Sequence, residues 1–433
     1  MLLNAIAIKN KPETMKVLLG ANSNVDKISE LDGSTALISA CGAGYDVIVK
    51  LLLKYKANTA IANAHTGAFP LLYASMYNKM HVVRMLLHEG KADPDQATEE
   101  GWRSVHVAAM HGHLATFNAL SVHSADLFVP GPDGMTSIHF AAMNGHEPVL
   151  VELIHLIKQH HDRRRLKGSR GSLDLARISD GSTALHMVSR KGDYLMCRRL
   201  LKAGADFNAK MRSDVAYGAT SLYLAAQSGN SFVVRELLKA GADPDVQLDR
   251  IGSTSLLTAI ERNDVEMVRV LVEGVALDST YYQATLSQHV QDDNDDDDDD
   301  DDDGDVLVAA NVNLGISSHE SSKSPLILAI IHDFPEISEI LLNNGADCNI
   351  KFLISESTQP NTDIVLESRD KVSQEEEDFP PMLYTELSLK DVALMKKSDV
   401  MLELLNNHAN CNGVGVKATS ADITSTSNHG NEF

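Results

Sequence analysis

The chain has 433 residues with 60 acidic against 38 basic, a formal net charge of −22, and twelve aspartates in the single tract Asp292–Asp305 carry more than half of that excess. This balance disfavours nucleic acid as the main partner, and no run of about twenty apolar residues is present to make a membrane span. A hydrophobic content of 43% suffices for packing, and an aromatic content of only 5% suits helices lined by Ala, Val and Leu.

Met1 enters inside a helix. Leu3 and Ile6 fall where Leu37 and Ala40 stand later, and Met15, Val17, Leu18 and Leu19 match Val49, Leu51, Leu52 and Leu53. The turn that should precede this helix is missing and the end is apolar, so a longer product upstream, or a partner covering this end, is expected. MLLNAIAIKNK has no charged n-region and is not read as a signal peptide. From Gly33 onward a Gly-x-Thr-x-Leu-like anchor recurs at Gly67, Gly101, Gly134, Gly181, Gly218 and Gly252, at intervals of 34, 34, 33, 47, 37 and 34 residues. The second helix of the fifth unit, Pro148–Ile157, meets no Gly-Ala-Asp stop. It is expected to run on into a basic insertion near 158–176 that holds Lys158, Arg163, Arg164, Arg165, Lys167 and Arg170.

The clearest copy is Gly218–Asp245. Thr220 is placed to cap a helix carrying Leu222, Leu224, Ala225 and Ala226, and Gly229 to end it. Asn230 is placed to cap a second helix, whose Val233, Val234, Leu237 and Leu238 make one apolar stripe before Gly241 ends it. Asp243-Pro244 then turns the chain outward. One such pair is too thin to bury its own stripe and needs stacked copies. Residues 280–322 show no helical or strand period and are expected to be a solvated acidic loop. Two degraded units follow within 323–412, separated by an insertion at 351–385, and 413–433 reads as a disordered Ser/Thr/Asn tail.

The period of 33 to 34 residues, the anchors Thr136-Ser-Ile-His139 and Thr183-Ala-Leu-His186, the pairs Gly112-His113 and Gly145-His146, and the endings Leu200–Asp206 and Leu237–Asp243 resemble the ankyrin repeat family. The resemblance covers most of 1–279 as about eight units, plus the two degraded ones. It implies an all-α ankyrin repeat solenoid of helix-turn-helix units with hairpin turns, about ten in number, and disordered acidic insertions leaving along one edge. It also implies a concave face made of hairpin tips and the outward side of each first helix. By that resemblance the positions flanking the anchor glycine, and the pair after the first-helix alanines, face solvent. They are Met76, Tyr77, Trp102, Met110, His111, Met135, Met143 and Asn144, and further along Arg190, Lys191, Tyr217, Gln227, Glu261 and Arg262. Large apolar groups at exposed positions mark interfaces, so the expected partner is a protein docking on units three to five.

The eighteen histidines invite a metal or catalytic reading, but His106, His139 and His186 share one repeat position, as do His113 and His146, and the family uses the first set to hydrogen-bond between units. His155, His160 and His161 lack a matching carboxylate or cysteine. There is no H-E-x-x-H, G-x-S-x-G or G-x-x-x-x-G-K-[ST]. The chain is therefore expected to be a non-enzymatic scaffold or adaptor, with no cofactor and no metal. Two further readings stand beside it: the recognition part of a larger ligase or kinase, and an acidic-loop binder of basic proteins. Cys41, Cys197, Cys348 and Cys411 are far apart, so no disulfide framework is expected, and the cytoplasm, with the nucleus as alternative, is the expected setting.

Overall fold

The structure is a computed structural model that describes residues 2–162, 173–214, 217–249, 251–276, 307–314, 324–348, 351–355, 366–367 and 384–408. The aspartate tract, the stretch 163–172 with most of the basic insertion, and the tail 413–433 lie outside the described residues.

Helices come in pairs. The described residues hold α1 (Leu2–Ile8) with α2 (Pro12–Gly20), α3 (Ala36–Ala43) with α4 (Asp46–Lys54), α5 (Pro70–Met76) with α6 (Met80–His88), α7 (Ser104–Met110) with α8 (Leu114–Val122), and α9 (Ser137–Asn144) with α10 (Glu147–Asp162). They continue with α11 (Ala184–Lys191) and α12 (Tyr194–Lys202), α13 (Ser221–Gln227) and α14 (Ser231–Lys239), α15 (Ser255–Glu261) and α16 (Val265–Glu273), α17 (Pro325–Ile331) and α18 (Pro335–Asn343), and α19 (Leu389–Met395) and α20 (Asp399–Asn407). Helices of seven to nine residues are too short to persist alone in water. Each first helix packs on the first helix of the next pair, and each second helix on the next second helix. One continuous apolar core results, running from Leu3 to Leu405.

The unit expected from the sequence forms as written for its stripe: Leu222, Leu224, Ala225, Ala226, Val233, Val234, Leu237 and Leu238 are all buried. Fully burying a Val or Leu contributes roughly 1.5–3 kcal/mol, which is how neighbours supply the stability a thin pair lacks. Thr220 caps α13 by accepting from the Tyr223 N–H at 3.4 Å, and Thr35, Thr254 and Ser324 cap α3, α15 and α17 in the same way. Asn230 departs from expectation. It stands at the start of α14 without capping it through its side chain; instead its Nδ2 donates to the Ser189 carbonyl of the preceding unit at 3.4 Å.

A second tie runs along the hairpins. The side chain of an Asp or Asn in one turn accepts the backbone N–H of the residue that follows the turn alanine of the next: Asn58 to Asp26 at 2.9 Å, Asp126 to Asp95 at 2.8 Å, Asp206 to Asp174 at 2.8 Å, and Asp243 to Asn208 at 3.1 Å. The ladder continues from Asn311 to Asp245 at 2.8 Å and from Asp347 to Asn313 at 2.7 Å. Residues 307–314 are therefore the displaced turn of unit eight, and that part of the expected acidic loop is folded into the stack. β1 (Val275–Ala276) and β2 (Leu307–Val308) pair antiparallel at its root. A three-stranded antiparallel sheet of order β4-β3-β5 is built from β3 (Lys351–Ser355), β4 (Leu366–Glu367) and β5 (Tyr384–Ser388). The solenoid is helical as expected, and these small ladders belong to its insertions. α10 runs on for 16 residues, where other second helices have nine. Cys41 and Cys197 are free and buried, whereas Cys348 is disulfide-bonded, which the wide cysteine spacing does not announce.

Candidate protein-binding face

The first helices and hairpin tips line one face, and the expected site residues divide on it by how their positions bury. Tyr77, Met143 and Tyr217 are 53%, 44% and 42% exposed; His111 and Asn144 are exposed as well. Met76, Trp102 and Met110 are half-buried and pack against the core. Arg190, Lys191, Gln227, Glu261 and Arg262 are exposed further along.

Met135 corrects the expectation, being buried. The residue after the anchor glycine points inward in every unit but the fourth: Ser34, Ala68, Ser182, Ala219 and Ser253 are buried with it. Most of these are small because the space is small. Trp102 occupies the same position and does not fit inside, so its ring emerges onto the face and rests on Phe140, with centroids 5.0 Å apart. Tyr77 stacks on Tyr73 at 6.4 Å. The structure brings together Tyr77, Trp102, Met110, His111, Met143 and Asn144 on consecutive units. Tyr217 stands apart at the hairpin tip of unit seven, where its carbonyl accepts from the Asp249 N–H at 3.1 Å.

The repeated histidines are structural. Nδ1 of His106 accepts the Arg103 N–H at 3.3 Å while Nε2 lies 2.9 Å from the Val129 carbonyl of the next hairpin. His186 does the same with the Thr183 N–H at 3.1 Å and the Ala209 carbonyl at 3.0 Å. At His139, Nδ1 accepts the Thr136 N–H at 3.1 Å. A ring that must accept at Nδ1 is needed neutral, and burial pushes the pKa of each of the three down to about 4. His113 and His146 tie units in the other direction, with Nδ1 of His113 at 3.0 Å from the Ser75 carbonyl and Nε2 of His146 at 2.9 Å from that of Met110.

Sequence reasoning missed the turns between the paired helices. Lys79, His113 and His146 stand there, beside the apolar patch; the two histidines were assigned to structure alone, and the close approach of each side chain to the preceding unit has no local signature. Among the described residues no group of three His, Cys, Asp or Glu side chains is placed to hold a metal ion. No described helix is long and apolar enough to cross a membrane.

A family model described as ankyrin repeats (3 copies) matches residues 2–98, 105–211, 152–248 and 222–293, and a single ankyrin repeat matches 322–352. The chain is similar to the tyrosine-protein kinase HTK16 of Hydra vulgaris, 29% identical over 129 residues, covering 29% of this chain and 17% of the kinase. It is 27% identical over 203 residues to the ankyrin repeat and KH domain-containing protein mask-1 of Caenorhabditis elegans, covering 46% of this chain and 7% of that protein. The chain thus spans less than a fifth of either relative. Among solved structures, the human ASB11 ankyrin repeat domain is 23% identical with a TM-score of 0.45, covering 55% of this chain and 96% of that one. The ankyrin repeat domain of Bcl-3 is 26% identical with a TM-score of 0.46, covering 55% and 99%.

Proposed function

The chain belongs to the ankyrin repeat family, and from that premise we propose that it is a non-enzymatic scaffold or adaptor that holds a protein partner on the face of units three to five. The observation that carries this reading is the run of large apolar side chains left in contact with water there. Tyr77 and Met143 are exposed and Trp102 and Met110 half-exposed on consecutive units. Apolar side chains at this density mark interfaces, and aromatic anchors supply most of their energy. Past Arg190 the same face turns polar, which suits peripheral contacts. Trp102→Ala and Met110→Ala should each weaken a captured partner by about 2 kcal/mol, as hot spots do. Affinity capture followed by titration of the recovered partner checks this; unchanged affinity in both variants removes the site.

A second reading, a recognition segment of a larger enzyme, is favoured by the match to a tyrosine-protein kinase. Reading the transcript in frame on either side of this chain tests it. A catalytic domain in that frame would make these repeats its targeting part, and its absence would leave the scaffold.

A further inference from the structure

Three of the turns that join paired helices, along the edge of this face, carry a cation or an imidazole lying across the preceding turn. Lys79 lies over Gly44, where an added Cβ would stand 2.7 Å from its Cδ. His146 lies over Gly112 and Lys191 over Gly145, where the same Cβ would stand 2.5 Å from Nδ1 and from Nζ. His111, on the turn between the first two of these, stacks on His113 with centroids 5.6 Å apart. Burial, then the neighbouring His113 and His146, holds the His111 pKa below the usual imidazole value. The row is therefore in place before a ligand arrives.

The acids of these turns are already engaged. Glu147 pairs with Arg199, and Asp193 accepts the Met196 N–H at 3.1 Å through Oδ1, while its Oδ2 stands 3.9 Å from the same added Cβ at Gly145 and puts one negative charge beside Lys191. Cations suit the negative ends of first helices in general, yet the turn of unit two is Ala43-Gly44-Tyr45 and that of unit seven Ser228-Gly229-Asn230. The row is unbroken from unit three to unit six, where Tyr77, Met110 and Met143 stand beside it; beyond it, in unit eight, Arg262 lies over Gly229 with the Asp264 carboxylate beside it. On the opposite, hairpin side of the patch Glu99 and Glu100 are exposed.

We propose that the ligand of this face is an acidic protein segment with one large apolar side chain, the apolar group seated on Met110 and Met143 and the carboxylates on Lys79, His111 and Lys191. This rests on the preceding reading of the face as protein-binding. Glu99 and Glu100 repel the same carboxylates from the hairpin side, which orients the segment. A carboxylate on His111 favours its charged form, so binding takes up protons and tightens as pH falls.

The test uses the full chain and three fluorescein-labelled peptides of about twelve residues, each with a central Trp flanked by four Glu, four Gln or four Lys, read by anisotropy at low salt. The Glu peptide should bind about tenfold more tightly than the Gln peptide and the Lys peptide more weakly than both. Its affinity should rise about threefold from about pH 7.5 to about pH 6. The joint variant Lys79→Gln, Lys191→Gln should remove about tenfold of the Glu-peptide affinity, and His111→Gln should flatten the pH profile. The proposal is overturned if the Gln or Lys peptide binds as tightly as the Glu peptide. If all three then still weaken with Met110→Ala, the face binds apolar segments and only the acidic assignment is lost. If no peptide responds to Met110→Ala or Met143→Ala, the binding face is lost with it.

Discussion

The backbone N–H of Asn311 donates to Oδ1 of Asp245 at 2.8 Å across 66 positions of sequence, where the other rungs of the same ladder span 31 to 35. The extra residues are the acidic insertion, entered and left through the pairs Val275↔Val308 and Ala276↔Leu307. Ala310 N–H also reaches the Leu271 carbonyl at 2.8 Å, closing α16 as its counterparts close other second helices. Unit eight is thus continuous in space and interrupted in sequence.

Because Ala276 and Leu307 face each other at the root, residues 277–306 should be replaceable by Asn-Gly, a two-residue turn that matches the strand twist. Shortening the closed loop lowers its closure entropy, so the excised protein should gain about 2 kcal/mol. Urea unfolding followed by circular dichroism checks this; loss of cooperative unfolding would show that the insertion is part of the fold.

Asp245→Ala leaves the Asn311 N–H without its acceptor and should cost about 1 kcal/mol. The loss should be local. Amide exchange should quicken in α17 and α18, beyond the broken rung, while α3 to α8 keep their protection. Equal quickening at both ends would mean that the stack does not transmit stability unit by unit.

Gly67 and Gly112 separate two reasons for glycine. Both have positive φ, +66° and +68°, but an added Cβ meets nothing within 4 Å at Gly67 and stands 2.5 Å from Nδ1 of His146 at Gly112. Gly67→Ala should cost about 1 kcal/mol from backbone strain alone. Gly112→Ala should cost about 1 kcal/mol more, since His146 must leave the Met110 carbonyl. Urea midpoints of the two variants give the comparison, and equal values would refute the contact.

Acid sensitivity follows from His106, His139 and His186, each held by burial at a pKa of about 4. The unfolded chain binds protons near pH 6.5 and the folded one does not, so their stabilisation is full above about pH 6.5 and is lost as pH falls toward about 4. Unfolding should take up about three protons near pH 5, with His111 adding in the same direction. His186→Gln should reduce the slope of stability against pH by about one proton, whatever it does to stability at neutral pH. An unchanged slope would mean that His186 is charged when folded.

Much of the fold was legible because the signals are local. A threonine before Leu-x-Leu-Ala-Ala and a stripe of Val and Leu specify a pair of short helices wherever they occur, and recurrence at 33 to 34 residues specifies stacking. The candidate face was legible in part. Tyr77 and Met143 stand exposed as their repeat positions imply, but Met135 does not, since whether a residue after the anchor glycine faces in or out depends on the room beneath it. Asn230 reads as a cap by type and spends its amide on Ser189 instead.

The sequence by itself determined that this protein is a stack, because a helix pair that cannot bury its own stripe has no other stable arrangement. Tertiary structure alone decided three things. It brought Asn311 to Asp245 across the acidic insertion, it pushed the Trp102 ring out onto Phe140, and it laid Lys79, His146 and Lys191 across the turns before them. Each is a contact between one unit and the next, and the geometry of a neighbour is not written in the residues that will touch it.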